Sequence, residues 1–416
     1  MSEKKRKKKV KRIKKLLHKG KIDEALNQAN INNIAYLSEI GMLFWEKGEH
    51  STSEKIFNRI TQLVPDNAAA WFNEGIILVR TEKYEKAVTC FDEAVKRDPN
   101  FADAWYNKGV VLQELRRYGE AATCFDEAVK RNPDWVEAWC SKGVALGSLG
   151  DLDEEVVCYD RALKIKPDYV DARYNKGIAL RELKRYEEAV ACFDEVIKID
   201  PDYSEAWSTK GISLASCEEY DEAVKCLDEA VKRDPDDADA WLKKGIVLET
   251  LENYEEAMIC YNEVLKRDFD YIDAWHGKGE IFLNRKKYIE AVACFDEVIT
   301  RDPHYVDAWL KKGAALGRFG RSNEALTCFN EVIKRDPDNV DAYYNKGRAL
   351  AHLREYTEAM TCFDETLKRD PNHGSAWHNK GVALQELGRY EEAATCFDTA
   401  VEVDPAILER RVIKEE

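Results

Sequence analysis

A period of 34 residues is the feature that most constrains how this chain can fold. The segment TCFDEAVK occupies residues 89–96 and returns unchanged at residues 123–130. Aligning such copies gives ten contiguous repeats without insertion, preceded by a more divergent repeat at residues 34–67. A regular period of this length indicates one extended array of small modules rather than several independent globules. The ten regular repeats begin at Ala68, Ala102, Val136, Val170, Ser204, Ala238, Ile272, Val306, Val340 and Gly374.

The apolar pattern of each repeat predicts two amphipathic helices joined by a short turn. In residues 102–135, one stripe contains Trp105, Gly109 and Leu112, and a second contains Tyr118, Ala121, Ala122, Phe125, Ala128 and Val129. The LRRY segment between the stripes is short enough to require an antiparallel hairpin. Gly109 and Ala121 are small, so they allow the two backbones to approach closely. Pro133 then ends the second helix.

This pattern resembles that of the tetratricopeptide repeat family, and the resemblance covers about 90% of the chain. The residues that carry it recur in phase and are, in the first regular repeat, Trp71, Gly75, Tyr84, Ala87, Phe91, Ala94 and Pro99. The resemblance implies an all-α fold, a right-handed α-α superhelical solenoid. It also implies that first helices line a concave groove and that second helices lie outside.

We expect four segments along the chain. Residues 1–20 form a basic arm, 21–33 a shortened helical unit with Ala25 and Leu26 inward, 34–407 the superhelix, and 408–416 a short tail or partial capping helix. Because that cap is short, end-to-end self-association of the last repeat is a further expectation. No stretch approaches eighteen apolar residues, and no apolar signal core follows the basic start. We therefore expect a cytoplasmic protein without a membrane span.

Every regular repeat carries a cysteine at its position 23, counted from the first residue of the repeat. Equivalent residues of neighbouring repeats are expected to lie on the order of 10 Å apart or more. That distance is too long for a disulfide or for shared zinc ligation. We therefore interpret these thiols as packing residues in a reducing compartment. They are Cys90, Cys124, Cys158, Cys192, Cys226, Cys260, Cys294, Cys328, Cys362 and Cys396.

The sequence contains no recognisable catalytic set. None of the seven histidines forms a metal-ligand pair at i, i+4 spacing, and no glycine-rich phosphate loop or GxSxG motif occurs. Most acids recur with the period, as in Asp126 before Lys130 and Glu127 before Arg131, and these spacings predict surface ion pairs. We therefore predict no enzyme activity, no metal and no cofactor.

The resemblance implies that positions 2, 5, 6, 9, 12 and 13 of each first helix face the groove. Position 6 is rich in asparagine, whose side chain both donates to and accepts from a peptide backbone. Family members that bind extended peptides use such an asparagine ladder, although asparagine is also tolerated on an exposed helix. Candidate groove residues at position 6 are Asn73, Asn107, Asn175, Asn345 and Asn379, with Lys243 and Lys311.

Carboxylates and aromatic rings follow the same predicted wall. A row of acids would attract a basic segment, but acids in a first turn also stabilise the helix macrodipole. Both roles are compatible. The acids at position 2 are Asp103, Asp171, Asp239, Asp273, Asp307 and Asp341, and the aromatic candidates at position 5 are Tyr106, Tyr174 and Tyr344.

Two residues interrupt the pattern within one stretch of chain. Glu155 stands where the other repeats have a small core alanine, and Arg173 stands at the tryptophan position of the next repeat. A lone buried carboxylate is costly unless it is paired. We expect that Glu155 and Arg173 either compensate one another or mark a locally loosened junction.

The main functional hypothesis is a non-enzymatic scaffold that binds an extended, basic segment of a protein or peptide partner. One alternative is a factor that contacts nucleic acid or the ribosome through KKRKKKVKRIKK at residues 4–15. That arm has no interleaved aromatic residue, so such binding would be sequence-blind and salt-sensitive. Two other interpretations of the arm are a solvated tail or first-helix extension, and a segment that folds back onto the acidic body. A further alternative is a regulatory subunit of a transferase-type enzyme.

Overall fold

The computed structural model describes residues 34–406, together with seven separate positions between residues 12 and 25. Most of the basic arm at residues 4–15, Leu26 and the tail at 408–416 lie outside the described residues, and so do the interactions predicted for them. Ala25 is fully buried beside Ile40 and Phe44, in agreement with its predicted inward position.

The described residues form helices joined by short turns. They are α1 (Ile34–Glu46), α2 (His50–Leu63), α3 (Ala68–Arg80), α4 (Tyr84–Arg97), α5 (Ala102–Glu114), α6 (Tyr118–Arg131), α7 (Val136–Gly147), α8 (Leu152–Ile165), α9 (Val170–Glu182), α10 (Tyr186–Ile199), α11 (Ser204–Ser216), α12 (Tyr220–Arg233), α13 (Ala238–Thr250), α14 (Tyr254–Arg267), α15 (Ile272–Asn284), α16 (Tyr288–Arg301), α17 (Val306–Phe319), α18 (Ser322–Arg335), α19 (Val340–His352), α20 (Tyr356–Arg369), α21 (Gly374–Glu386) and α22 (Tyr390–Val403). None of them is both long and apolar enough to cross a membrane.

The chain forms two compact units, Met1–Cys217 and Glu218–Glu416, which we call the N-unit and the C-unit. Within each unit the two helices of a repeat pack together, and each second helix packs on the next first helix. Successive first helices also touch, from α1 to α7 in the N-unit and from α13 to α21 in the C-unit. The first helices therefore form the inner wall of each stack. The predicted fold class, an all-α repeat superhelix, is confirmed.

In nine of the ten regular repeats, a position-8 glycine and a position-24 aromatic ring hold the two helices together, and the repeat that begins at Ser204 has Leu227 in place of the ring. In the repeat that begins at Ala102, a Cβ placed on Gly109 would lie 2.7 Å from the ring of Phe125, which is fully buried. The same contact joins Gly75 to Phe91 and Gly313 to Phe329. Glycine is required here because any side chain would push the second helix away. The predicted close crossing is confirmed.

In nine of the ten regular repeats, a hydrogen bond from the position-4 side chain fixes the start of the first helix. The exception is the repeat with Tyr343, where the carbonyl of Pro337 accepts from Arg369 instead. The indole N–H of Trp105 donates to the carbonyl of Pro99 at 3.1 Å, and that of Trp139 donates to Pro133 at 2.9 Å. Arg173, at the tryptophan position, makes the same contact by donating to the carbonyl of Pro167. Arg173 is thus a replacement for tryptophan within the pattern.

Lysines at position 7 join neighbouring repeats. Lys142 Nζ lies 2.6 Å from Asp126 of the preceding repeat and also rests on the ring of Trp139. Asp126 was predicted to pair with Lys130, which it does at 2.7 Å, but its second partner was not predicted. Seven such pairs, each at 2.5–2.6 Å, link consecutive repeats at about 0.2–1 kcal/mol apiece.

The ten position-23 thiols are all buried and free, so their interpretation as packing residues is confirmed. Cys124, for example, lies next to Phe125 in one apolar cluster. Burial raises the pKa of Cys90 to about 12 and that of Cys124 to about 11. Both of these thiols are therefore protonated and unreactive in the folded chain.

The glycine contact leads to a paired prediction within one repeat. Gly109→Ala should lower stability by about 1–3 kcal/mol, because the new methyl group overlaps the Phe125 ring. Gly119→Ala makes the same change in the next helix, where no atom lies within 4 Å of the new Cβ. It should raise stability by about 0.5–1 kcal/mol, because alanine is a better helix former. Thermal melting followed by circular dichroism compares the two, and equal midpoints would contradict the argument.

Candidate functional site

Side chains of successive first helices bond to one another along the inner wall. Tyr106 and Tyr174, at position 5, lie 3.4 Å and 3.3 Å from hydroxyl groups at position 6 of the next repeat, those of Ser141 and Thr209. Asn379 donates to the Tyr344 hydroxyl in the same arrangement, at 3.1 Å. These bonds span 35 residues, so the repeat alignment did not reveal them. The predicted rows do share one wall, and they also brace it.

The five candidate asparagines have different surroundings. Asn73 donates to Ser38 at 3.1 Å, while Asn107 and Asn345 donate to carbonyls of their own helices at 2.8 and 2.9 Å. Asn175 makes no side-chain hydrogen bond within the described residues. One N–H in use fixes an amide's orientation and leaves its second donor and most of its acceptor capacity for a ligand.

The aromatic candidates are half-buried and pack against the residue that precedes the next first helix. The ring centroid of Tyr106 lies 4.6 Å from that of Trp135, Tyr174 lies 5.1 Å from Tyr203, and Tyr344 lies 4.6 Å from His373. One face of each ring is therefore already in contact within the repeat. These rings offer edges and hydroxyl groups to a ligand more than free faces.

The position-2 carboxylates are mostly exposed on this wall. Among residues 38–406 no ion pair reaches Asp103, Asp171, Asp273 or Asp341. Asp239 pairs with Lys243 of its own helix at 2.6 Å. The row therefore carries negative charge that side chains of the described region leave largely uncompensated. Such a wall attracts cations.

One stretch of the C-unit departs from this pattern. His276 Nε2 lies 2.8 Å from Asp307 Oδ2 of the next repeat, and this hydrogen bond lowers the pKa of Asp307. Lys311 Nζ lies 2.7 Å from Glu280 Oε1. Sequence reasoning missed this cluster, since it considered histidines only as pairs. The one available signal was the i, i+4 spacing of His276 and Glu280.

Donor atoms of His276, Glu280 and Asp307 lie within 4.8 Å of one another, a set that could hold a metal ion. The ammonium group of Lys311 already lies against Glu280, however, and supplies the positive charge there. Both candidate lysines, Lys243 and Lys311, are thus engaged by acids of the wall.

Glu155 and Arg173 do not pair, so the predicted mutual compensation is wrong. Arg173 forms an ion pair with Glu195 and donates to Pro167, whereas the hydroxyl of Tyr159 donates to Glu155 Oε1 at 3.0 Å. The side chain of Glu155 lies against Gly147, where an added Cβ would overlap its carboxylate. The expectation of a locally loosened junction stays a prediction, and a cavity lies beside Glu155.

Burial raises the pKa of Glu155 to about 7, and the charge of Glu182 adds to this effect. The carboxyl group is thus neutral or charged in the folded protein according to the pH of the surroundings.

An array of helix pairs with a polar, acidic inner wall defines a class of protein, the helical repeat scaffolds that bind other proteins. Family models of the tetratricopeptide repeat match residues 39–88, 73–122, 111–170, 209–271 and 310–373, and related models match 170–203, 272–305 and 374–406. The chain belongs to the tetratricopeptide repeat family. No functionally curated protein matches it at a significant level.

Several solved structures are similar to this chain. YrrB, described as a TPR protein with an unusual peptide-binding site, is 21% identical, covers 46% of this chain and 100% of its own, and has a TM-score of 0.40. Yeast Tom70 is 12% identical, covers 91% and 93%, and has a TM-score of 0.42. A tetratricopeptide repeat protein from Parabacteroides merdae is 15% identical, covers 60% and 98%, and has a TM-score of 0.46.

The raised pKa of Glu155 predicts a pH-dependent stability difference. The folded chain binds the proton more tightly than the unfolded chain, so stability falls as pH rises from the ordinary value of 4.5 towards 7. Glu155→Gln removes this loss. Its advantage over the wild type should be small at pH 4.5 and reach on the order of 1 kcal/mol at pH 8, after allowance for solvent screening.

Thermal unfolding across this pH range measures the difference. Glu154→Gln is the matched control, because Glu154 is the exposed neighbour of Glu155 in α8. Stability curves of the wild type and Glu155→Gln that run parallel between pH 4.5 and 8 would contradict the prediction.

Proposed function

We propose that the inner wall binds an extended, basic segment of another protein, and that the chain acts as a cytoplasmic scaffold without catalysing a reaction. The observation that carries this proposal is the row of position-6 asparagines beside uncompensated position-2 carboxylates. Side-chain amides bond to a peptide backbone, whereas carboxylates select cationic side chains.

Membership of the tetratricopeptide repeat family supports the general role of a protein-interaction scaffold. The charge of the wall supports the finer choice of a basic partner. Most acids of the second helices are engaged by bases, such as Glu93 with Arg97 and Asp160 with Lys176. Uncompensated carboxylates at position 2 lie instead on the inner wall. A cationic segment would therefore gain most by binding there.

Simultaneous replacement of Asn73, Asn107, Asn175, Asn345 and Asn379 by alanine tests the site. The tagged full-length chain is used to capture partners from a lysate of the source cells, and captured proteins are identified by mass spectrometry. We expect at least one partner that the wild type captures to be lost, because its backbone loses five amide contacts. Retention of every partner would contradict binding at the inner wall.

The chain offers a control with the same number of polar-to-alanine changes. Thr89, Thr123, Thr327, Thr361 and Thr395 are exposed on second helices, and each hydroxyl bonds to a carbonyl of its own helix. Their replacement by alanine should leave the captured partners unchanged. Circular dichroism of both variants verifies that helix content is preserved.

The charge of the segment has a separate test. Replacing Asp103, Asp171, Asp239, Asp273 and Asp341 by asparagine removes charge from the wall but keeps residues that suit the start of a helix. The partner used is one that the variant with five asparagines changed to alanine fails to capture. The aspartate-to-asparagine variant should bind this partner more weakly than the wild type, and its affinity should depend less steeply on salt. An unchanged salt dependence, measured by titration in 50–300 mM NaCl (about 14–6 Å of screening length), would argue against a basic segment.

A further inference from the structure

Glycine at position 12 distinguishes two of the ten regular repeats. The other repeats carry Val79, Gln113, Arg181, Ala215, Glu249, Leu283, Ala351 and Gln385 there, whereas these two carry Gly147 and Gly317. A cavity opens at each of the two glycines, and each is walled by a candidate asparagine of the next repeat, Asn175 or Asn345. The missing side chain thus makes an equivalent recess in both units.

The two recesses differ in charge. The one in the N-unit has a volume of about 330 Å³ and is lined by Glu155 and Glu182. Of the described residues that line it, none is basic. The one in the C-unit has a volume of about 120 Å³ and is lined by Arg318, Arg348 and His352, with no acid among its described lining residues. The two recesses therefore share a position in the repeat but have linings of opposite charge.

Glu155 lies where the other repeats have alanine, for example Ala121 and Ala189. Helix packing at this position therefore does not require a carboxyl group. Its position against Gly147 directs it into the recess, where Asn175 has no side-chain partner in the described region. The only protein hydrogen bond to the Glu155 carboxylate in that region comes from Tyr159. Val144 and Ile178 supply apolar walls suited to the methylene stem of a long side chain.

In the C-unit, the carboxyl group of Glu249 has a comparable setting, but there a lysine of the same protein, Lys311, supplies a positive charge. The hydroxyl of Tyr261 donates to Glu249 at 2.6 Å, as that of Tyr159 donates to Glu155. There Lys311, from position 6 two repeats later, lies at 2.7 Å from Glu280 and its charge acts on Glu249. The residue equivalent to Lys311 in the N-unit is Thr209, which is uncharged and bonded to Tyr174. The N-unit recess therefore has the acids without the base.

We propose that the recess at Gly147 binds one lysine or arginine side chain of the segment held in the groove, with Glu155 and Glu182 as its anionic partners. This proposal rests on the proposed function, since the segment brings the side chain to the wall. A volume of about 330 Å³ lies at the lower end of the range of ligand pockets and accommodates a single side chain. The side-chain amide of Asn175 would bond to the backbone of the bound segment next to that lysine or arginine.

N-acetyl-arginine amide is the direct probe, and N-acetyl-citrulline amide is its neutral control of nearly the same shape. The full-length chain is labelled with ¹³C at isoleucine δ1 methyl groups. Ile178 lines the recess, and Ile212 occupies the same position one repeat later, outside it. We expect the arginine amide to shift the Ile178 signal saturably, the citrulline amide to bind at least about tenfold more weakly, and Ile212 to be unaffected.

Glu155→Ala separates binding from folding. It restores the usual residue of the repeat and removes a buried carboxyl group, so the variant should melt at or above the wild-type temperature at pH 8. Its affinity for the arginine amide should nevertheless fall at least about tenfold. Gly317→Ala changes the basic recess and is the matched control, which should leave arginine binding unchanged.

Equal shifts from the arginine and citrulline amides, no saturation at Ile178, or unchanged affinity in Glu155→Ala would each overturn the proposal. These outcomes are distinguishable from failure of the proposed function. If the asparagine variant loses its partner while the arginine amide does not bind, only the recess is refuted. If the arginine amide binds while the asparagine variant keeps every partner, the side-chain site at Gly147 is supported and the proposed binding of a segment at the inner wall is refuted.

Discussion

The contact between a glycine of the first helix and an aromatic ring of the second determines the geometry of nine of the ten regular repeats. Gly109 lets the ring of Phe125 lie directly on the helix backbone, so the two helices cross at a short, fixed distance. That distance sets where the next first helix packs, and hence which residues of successive first helices meet. The bonds from Tyr106 to Ser141 and from Tyr174 to Thr209 recur at one spacing for this reason. The packing of the core therefore determines which side chains meet on the inner wall.

Sequence reasoning was most successful where a residue's role repeats with the period. The helix boundaries, the crossing at Gly109 and the burial of the cysteines follow from local apolar spacing, and ten copies reinforce the same inference. It was less successful where one side chain serves two repeats. The second partner of Asp126 and the partners of the asparagines are bonds between neighbouring modules, which no pattern within a module contains.

Glu155 and Arg173 illustrate a different limit. Both break the pattern within nineteen residues, so pairing them was a reasonable interpretation of the sequence. Structurally, Arg173 takes over the hydrogen bond of a tryptophan, and Glu155 occupies space made by Gly147 and receives a bond from Tyr159. The three changes around Glu155 form a coherent set: glycine for a larger residue, glutamate for alanine, tyrosine for phenylalanine. Such a set is recognisable from sequence only when the crossing geometry is known.

The ten position-23 cysteines can report on the local opening of each repeat. Each regular repeat has one cysteine at the same buried place, and a thiol there reacts with an alkylating reagent only after its own repeat opens. Mass spectrometry of peptides from a partly alkylated chain would therefore resolve, repeat by repeat, how often each module opens in the intact array. Fraying from the ends would label Cys90 and Cys396 before Cys192, whereas all-or-none unfolding would label every repeat at one rate. The residues that contribute least to the chemistry of the wall thus make the cooperativity of the whole stack measurable.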